Sequence, residues 1–286
     1  MSSVLVLGSA NADLVVEVAV RPGAGETVLG GDTVVMPGGK GANTAVAAAR
    51  VGASVALLGA VGPDQYGSLL RDSLAGSGVR TDFVRTSDRP TGIAYITVTP
   101  DGENSIVVAP GANADLAESD VDGVPLDGVA VLACSLEVPI PVVEHAVARA
   151  SAHGVRPLLN LSPVAPLSPE TLALLDPLVV NEHEAASLAP TLAGLLDLGP
   201  RSVVVTLGAR GAAVVTAAGV VEVPAPSVRA VDTTGAGDAF AGALAARLAD
   251  GDSLVEAATY AARVAATSVT KHGAQPSYPL AAEVLP

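Results

Sequence analysis

Short, continuously apolar runs recur along the chain at residues 4–8, 54–58, 129–132, 157–160, 178–180 and 202–207. They are rich in Val, Leu and Ala and lack polar alternation, the pattern of parallel strands covered on both faces. Segments with helical periodicity separate them at 40–51, 64–75, 140–153 and from 181 onward. This alternation predicts an open, mostly parallel α/β sheet with helices on both faces. The last third reads as mostly helical. Within 252–270, Leu254, Ala257, Ala258, Ala261, Ala265 and Val269 share one face, behind an N-cap at Asp252 or Ser253. So many small residues on one face predict close packing against neighbouring helices.

Two stretches break this rhythm. Residues 14–20 and 33–36 are β-rich and flank a Pro/Gly turn at 21–25. Residues 92–99 and 103–109 are also β-rich and meet at Pro100-Asp101-Gly102, a strong hairpin signal. These pieces cannot all continue a parallel sheet. They predict a small, mostly antiparallel sheet, from about 14–36 and 92–109, inserted into a single domain spanning 1–286.

Composition narrows the functional classes. Half of the 286 residues are hydrophobic, enough for a substantial core, which excludes an intrinsically disordered chain. Only 2% are aromatic, so Ala, Val and Leu must build that core, and stacking platforms for single-stranded nucleic acid are nearly absent. The net charge of −14 repels a phosphate polyanion, which argues against a nucleic-acid polymer as partner. The lone Cys134 cannot form an internal disulfide; it fits a reducing compartment and is also compatible with export. The start lacks a basic segment followed by a long apolar run, and no stretch reaches about 18 uninterrupted apolar residues. A cytoplasmic location with no membrane span is the expectation.

Three glycine-rich segments carry candidate chemistry. In Val231-Asp232-Thr233-Thr234-Gly235-Ala236-Gly237-Asp238-Ala239-Phe240-Ala241-Gly242, a glycine turn runs into an Ala-rich helix. Free N–H groups and the helix dipole suit an anion there, with Asp238 in reach of a hydroxyl; an ordinary acid-capped helix start has the same local pattern. In Met36-Pro37-Gly38-Gly39-Lys40-Gly41-Ala42-Asn43, the glycines permit close backbone approach while Lys40 and Asn43 offer donors. This is not a P-loop, because Ala42 supplies no hydroxyl for Mg²⁺. In Gly8-Ser9-Ala10-Asn11-Ala12-Asp13, two polar side chains two residues apart follow the first strand, where open α/β sheets bind ligands; an Asx turn would look the same. No Gly-x-Gly-x-x-Gly follows a strand, which disfavours a dinucleotide-dependent dehydrogenase. The four histidines have no zinc-type spacing.

The three segments, in this order, resemble the landmarks of the ribokinase/PfkB family of carbohydrate kinases, and the resemblance covers nearly the whole chain. Thr91-Gly92-Ile93-Ala94, Glu103-Asn104 and Lys271-His272-Gly273-Ala274-Gln275-Pro276-Ser277 are similar to its ribokinase branch. The resemblance implies a ribokinase-like fold and transfer of the ATP γ-phosphoryl group to a sugar hydroxyl, for D-ribose the 5-hydroxyl. It implies Asp238 as general base and the N–H groups of Gly235, Ala236 and Gly237 as an anion hole. Asn11, Asp13, Gly39, Lys40, Asn43 and Glu137 would hold the sugar. Asn181 and Glu184, in an Asn-x-x-Glu pattern, would act near Mg²⁺ and the phosphates through waters. Thr206 and Gly208, with Gly237, would belong to the nucleotide site, whose adenine walls fall near residues 260–264. Asp232, the Thr234 carbonyl and Ser277 would hold a monovalent cation such as K⁺. The small sheet would be a lid over the sugar and the interface of a homodimer. Kinases of 2-deoxyribose, a nucleoside or another sugar share these features, and a non-catalytic sugar sensor would differ by a lost base or anion hole. The stretch between Asn181 and Thr206 is compact and is expected to carry a trimmed helix.

Overall fold

The first apolar run forms β1 (Ser3–Leu7), buried from Val4 onward. The computed structural model describes residues 3–286; Met1 and Ser2, where the reading of the chain start begins, lie outside the described residues. After β1 come β2 (Asn11–Glu17), β3 (Val34–Gly38), α1 (Lys40–Arg50), β4 (Ser54–Val61) and α2 (Gln65–Gly76). Next are β5 (Val84–Thr86), β6 (Gly92–Val98), β7 (Asn104–Ala109), α3 (Glu118–Asp122), β8 (Val129–Ser135) and α4 (Ile140–Ala152). Then follow β9 (Arg156–Asn160), α5 (Pro169–Leu172), β10 (Leu178–Asn181), α6 (Glu182–Leu188) and β11 (Val203–Thr206). The chain closes with β12 (Ala212–Thr216), β13 (Gly219–Val223), α7 (Ala236–Ala249) and α8 (Leu254–Ser268).

Nine strands form one sheet in the order β13-β12-β11-β10-β9-β8-β1-β4-β5. The ladders from β5 across to β11 are parallel, and β12 and β13 add on antiparallel. Sequence patterning did not single out β12 and β13. Only Ala217 and Ala218 separate Thr216 from its ladder partner Gly219. A connection that short permits a hairpin and no parallel crossover.

Alternate residues of each parallel strand feed two cores, as strands with period-two side chains require. Val4, Val6, Val55, Leu57, Val131 and Leu158 pack on one face with Ala and Val residues of α1, α7 and α8. Leu5, Leu7, Leu58, Leu132, Leu159 and Val180 pack on the other with α4. The small face of α8 packs as expected, with Ala257, Ala258 and Ala261 fully buried in the same core as Ala243 and Leu244 of α7. Helix α7 packs as tightly on α1. At Gly242 of α7, a Cβ would lie 2.4 Å from the carbonyl oxygen of Thr44 in α1. The helix starts are thereby drawn together at the carboxyl edge of the sheet.

The second sheet has the order β3-β2-β6-β7. β2–β3 and β6–β7 are antiparallel, but the central pair β2–β6 is parallel. Both central strands leave the same edge of the large sheet, so they run outward side by side. α6 is indeed short, followed only by a two-turn 3₁₀ segment, Ala193–Leu198. Among the described residues, no helix is long and apolar enough to cross a membrane.

Candidate functional site

Gly8, Ser9 and Ala10 turn the chain from β1 into β2, and the glycine-rich segment before α1 packs directly on that turn. Gly39 has φ +90°, and a Cβ there would lie 2.6 Å from the Asn11 nitrogen. A Cβ on Gly41 would lie 2.4 Å from the carbonyl carbon of Gly8. These glycines therefore admit the protein's own backbone. The N–H of Ala42 donates to the Ser9 carbonyl (2.9 Å) and closes the contact.

This packing gathers one polar cluster. Asn11 and Asp13 lie on β2 rather than in an Asx turn, two residues apart and hence on one face of the strand. Glu137, just beyond β8, accepts hydrogen bonds at Oε2 from Ser9 Oγ (2.5 Å), the Lys40 N–H (3.3 Å) and Asn11 Nδ2 (3.4 Å). Asn113 was missed by sequence reasoning. Its Nδ2 donates to Asn11 Oδ1 (2.7 Å), while its Oδ1 accepts from the Ala10 N–H (2.9 Å), so it locks Asn11 from behind. Asp13 is pushed up to about 7 by burial first, then by the charges of Glu137 and Asp238, with Lys40 opposing.

Asp238 lies in the first turn of α7 and is 7% exposed. Its Oδ2 accepts from Asn43 Nδ2 (2.9 Å). Burial raises it to about 6; Lys40 and the Asn43 hydrogen bond oppose the rise, and Glu137 adds to it. The preceding Gly235 has φ +73°, a left-handed conformation suited to glycine. Its carbonyl accepts from the buried Tyr278 hydroxyl (3.0 Å). The Ala236 N–H donates to the Thr233 carbonyl (3.2 Å). Gly237 and Asp238 occupy the first helical turn, where N–H groups lack an intrahelical acceptor and attract anions.

A cleft opens from this turn across the carboxyl ends of β9, β10 and β11. Lys40 and Asp238 form its border with the polar cluster, and Asn181, Glu184 and Thr206 line its wall. Thr206 is the ladder neighbour of Asn181. Asn181 and Glu184 also form a capping box: Asn181 Oδ1 accepts from the Glu184 N–H (2.8 Å) and Glu184 Oε2 from the Asn181 N–H (2.7 Å). Gly208 is not brought to this wall; it begins a turn whose Arg210 pairs with Glu182 (2.5 Å). Asn160, Ser162 and Thr233 do line the cleft and were not singled out. Asn160 ends a predicted strand, so the rule that ligands bind at carboxyl ends could have found it. Near the expected adenine walls, the Arg247 guanidinium covers the Tyr260 ring at 5.3 Å.

Asp232 accepts from the Thr234 N–H (2.9 Å) and the Gly273 N–H (2.8 Å). Burial pushes its carboxyl up, but the hydrogen bonds from Thr234 and Gly273 outweigh this and hold it below the usual range. Ser277 is buried in the same C-terminal segment, with its hydroxyl donating to the Ala274 carbonyl (2.8 Å). The oxygens along these segments, the Asp232 carboxylate, the Ser277 hydroxyl and backbone carbonyls, are hard ligands that could hold a hard cation rather than a soft, thiolate-seeking metal.

The chain matches the profile described as pfkB family carbohydrate kinase over residues 1–281. It is 40% identical to the ribokinase of Bacillus subtilis over 289 residues, covering 99% of this chain and 98% of that protein. It is 34% identical to the deoxyribokinase of Salmonella typhi, with 96% and 95% covered. A solved structure of Arabidopsis thaliana ribokinase complexed with ribose and ATP superposes with a TM-score of 0.90 at 31% identity, covering 99% of this chain and 97% of that one.

Proposed function

The chain belongs to the pfkB family of carbohydrate kinases, and we propose that its reaction is ATP-dependent phosphorylation of D-ribose at the 5-hydroxyl. One observation carries this reading. Buried Asp238 stands where the polar cluster of Asn11, Asp13, Asn43 and Glu137 meets the cleft below the glycine turn. A hydroxyl held by the cluster would lie against the base and face a phosphate held by the turn.

In this reading, Asn11, Asp13, Gly39, Lys40, Asn43 and Glu137 bind the sugar hydroxyls. Several paired hydroxyl contacts select a polyol and penalise an analogue lacking one. Asp238 accepts the proton of the attacking hydroxyl as the oxygen–phosphorus bond forms and ADP leaves. A carboxylate raised to about 6 remains mostly ionised at pH 7 yet is a better proton acceptor than an ordinary aspartate. The N–H groups of Gly235, Ala236 and Gly237 and the α7 dipole stabilise the transferring phosphoryl group. The Ala236 N–H, which donates to the Thr233 carbonyl, would have to give up that acceptor to take this role. These fixed dipoles and Lys40 supply local positive potential inside a protein of net charge −14.

Asn181 and Glu184 would hold Mg²⁺ through waters, which suits a metal that dehydrates reluctantly; when bound, Mg²⁺ neutralises phosphate charge. Asp232, Thr234 and Ser277 would hold K⁺, which would add positive potential near the glycine turn when bound. Thr206 and Gly208 would border the nucleotide, Gly208 from outside the cleft wall. Consumption of ATP fits a cytoplasmic enzyme.

The four-stranded sheet acts as the lid. Its exposed Tyr95, Val107 and Val108 support a homodimer formed through it. A coupled ADP-release assay over ribose, 2-deoxyribose, other sugars and nucleosides tests the substrate. Ribose should have the highest kcat/KM, and a preference for 2-deoxyribose would replace the assignment. Asp238→Asn should reduce turnover by about 10²–10⁴-fold with ribose binding retained; near-normal kcat would sink the mechanism.

A further inference from the structure

The segment after α8 returns to the site through one side chain. Gln275 lies in the turn Gln275–Ser277 and is 2% exposed. Its Nε2 donates to Asn43 Oδ1 (3.0 Å), and Asn43 Nδ2 donates to Asp238 Oδ2 (2.9 Å). Behind it, Ser73 Oγ on α2 donates to Gln275 Oε1 (2.8 Å). Four separate parts of the chain thus meet in one buried line of hydrogen bonds ending on Asp238.

The chemistry of the groups gives this line a single direction. An ionised carboxylate only accepts, so Asn43 must turn Nδ2 toward Asp238. Its Oδ1 then faces Gln275, which must present Nε2. The remaining Gln275 Oε1 can only accept, and Ser73 supplies the donor. Removing the Gln275 N–H would leave Asn43 Oδ1 buried without its partner. The Asn43 amide would then be free to rotate, and one rotation brings its oxygen against the carboxylate.

We propose that Gln275 is a positioning residue for phosphoryl transfer: through Asn43 it holds Asp238 in the orientation that receives the sugar proton. The proposal rests on the reading of Asp238 as general base. Asp238 also faces Lys40 from α1, Glu137 from beyond β8, Asp13 from β2 and Tyr278 from the C-terminal segment. Those groups remain when Gln275 is changed, so altered titration of Asp238 would report the Asn43 donor. Losing that donor disfavours the ionised form and moves the acid limb of activity to higher pH.

The test is Gln275→Met, which keeps the length and removes the donor. Thermal unfolding would be followed alongside kcat, KM for ribose, and kcat/KM from pH 5 to 9. The expected result is a kcat about tenfold lower, a KM that rises less than kcat falls, and an acid limb higher by about one pH unit. Gln275→Glu retains the acceptor for Ser73 and, when ionised, offers Asn43 no donor; it should show the same changes and serves if the Met variant does not fold. A folded variant with unchanged kcat and unchanged acid limb overturns the positioning role. Asp238→Asn separates the two claims. If it retains turnover, the base assignment fails and this proposal with it. If it is inactive while Gln275 variants behave as wild type, only the role of Gln275 fails.

Discussion

Asp13 should make this protein less stable at neutral pH, and Asp13→Asn should reverse that. The carboxyl is 9% exposed, and its pKa is raised from 3.8 to about 7 by burial and by the nearby charges of Glu137 and Asp238, with Lys40 opposing. That displacement corresponds to about 4 kcal/mol between its two protonation states. In the window between the two values, the folded protein keeps a proton that the unfolded chain has released. The associated stability is present at low pH and is lost as pH rises through about 7. Integrated from pH 5 to pH 8, the loss is roughly 2–3 kcal/mol. Asparagine keeps the shape and removes the charge. At roughly 2 °C per kcal/mol for a chain of this size, the Tm advantage of the variant should grow by about 4–6 °C between pH 5 and pH 8. Differential scanning calorimetry of both ligand-free proteins across that range measures it. Parallel Tm curves, or a variant less stable at pH 8 than at pH 5 relative to wild type, would refute the reasoning. The same substitution should raise KM for the sugar by about tenfold, because an amide oxygen is a weaker hydroxyl acceptor than the carboxylate form of Asp13.

Three further outcomes follow from named contacts. Gly235→Ala forces a side chain into φ +73° with its Cβ 2.4 Å from the Tyr278 hydroxyl; it should cost about 2–4 kcal/mol in denaturant unfolding and depress kcat even at saturating sugar. Asn113→Ala leaves Asn11 Oδ1 and the Ala10 N–H without their partner; steady-state kinetics should show KM for the sugar up by about tenfold with a smaller change in kcat. Val107, 68% exposed on the four-stranded sheet, should be covered in the proposed homodimer, so light scattering should find wild type dimeric and Val107→Asp monomeric; a variant mass equal to wild type at the same concentration would refute the proposed interface.

The two kinds of sheet were legible along the chain for different reasons. Leu178–Val180 and the Val203–Val205 centre of the 202–207 run are apolar at every position because parallel strands are covered on both faces. Asp101-Gly102 marked the β6–β7 hairpin because the turn needs a positive φ, and Gly102 has φ +85°. β2 was placed three residues late because Asn11 and Asp13, its first site residues, break the apolar signal. β12 and β13 escaped notice because only the short Ala217-Ala218 connection makes them a hairpin.

The order of glycine-rich segments, through its resemblance to the ribokinase/PfkB family, pointed to Asp238, Lys40, Asn43 and the helix start, because those motifs are local in backbone freedom and residue type. Tertiary structure alone decided the support behind them. Asn113, Gln275 and Tyr278 lie 102, 232 and 43 residues from the partners they hold. No local pattern reports such a contact, because a hydrogen bond between distant segments exists only once packing has brought both ends out of water. The raised carboxyls at Asp13 and Asp238 have the same origin: an aspartate is ordinary in a sequence and becomes a stronger proton acceptor only when the fold buries it, first by taking it out of water and then through nearby negative charge.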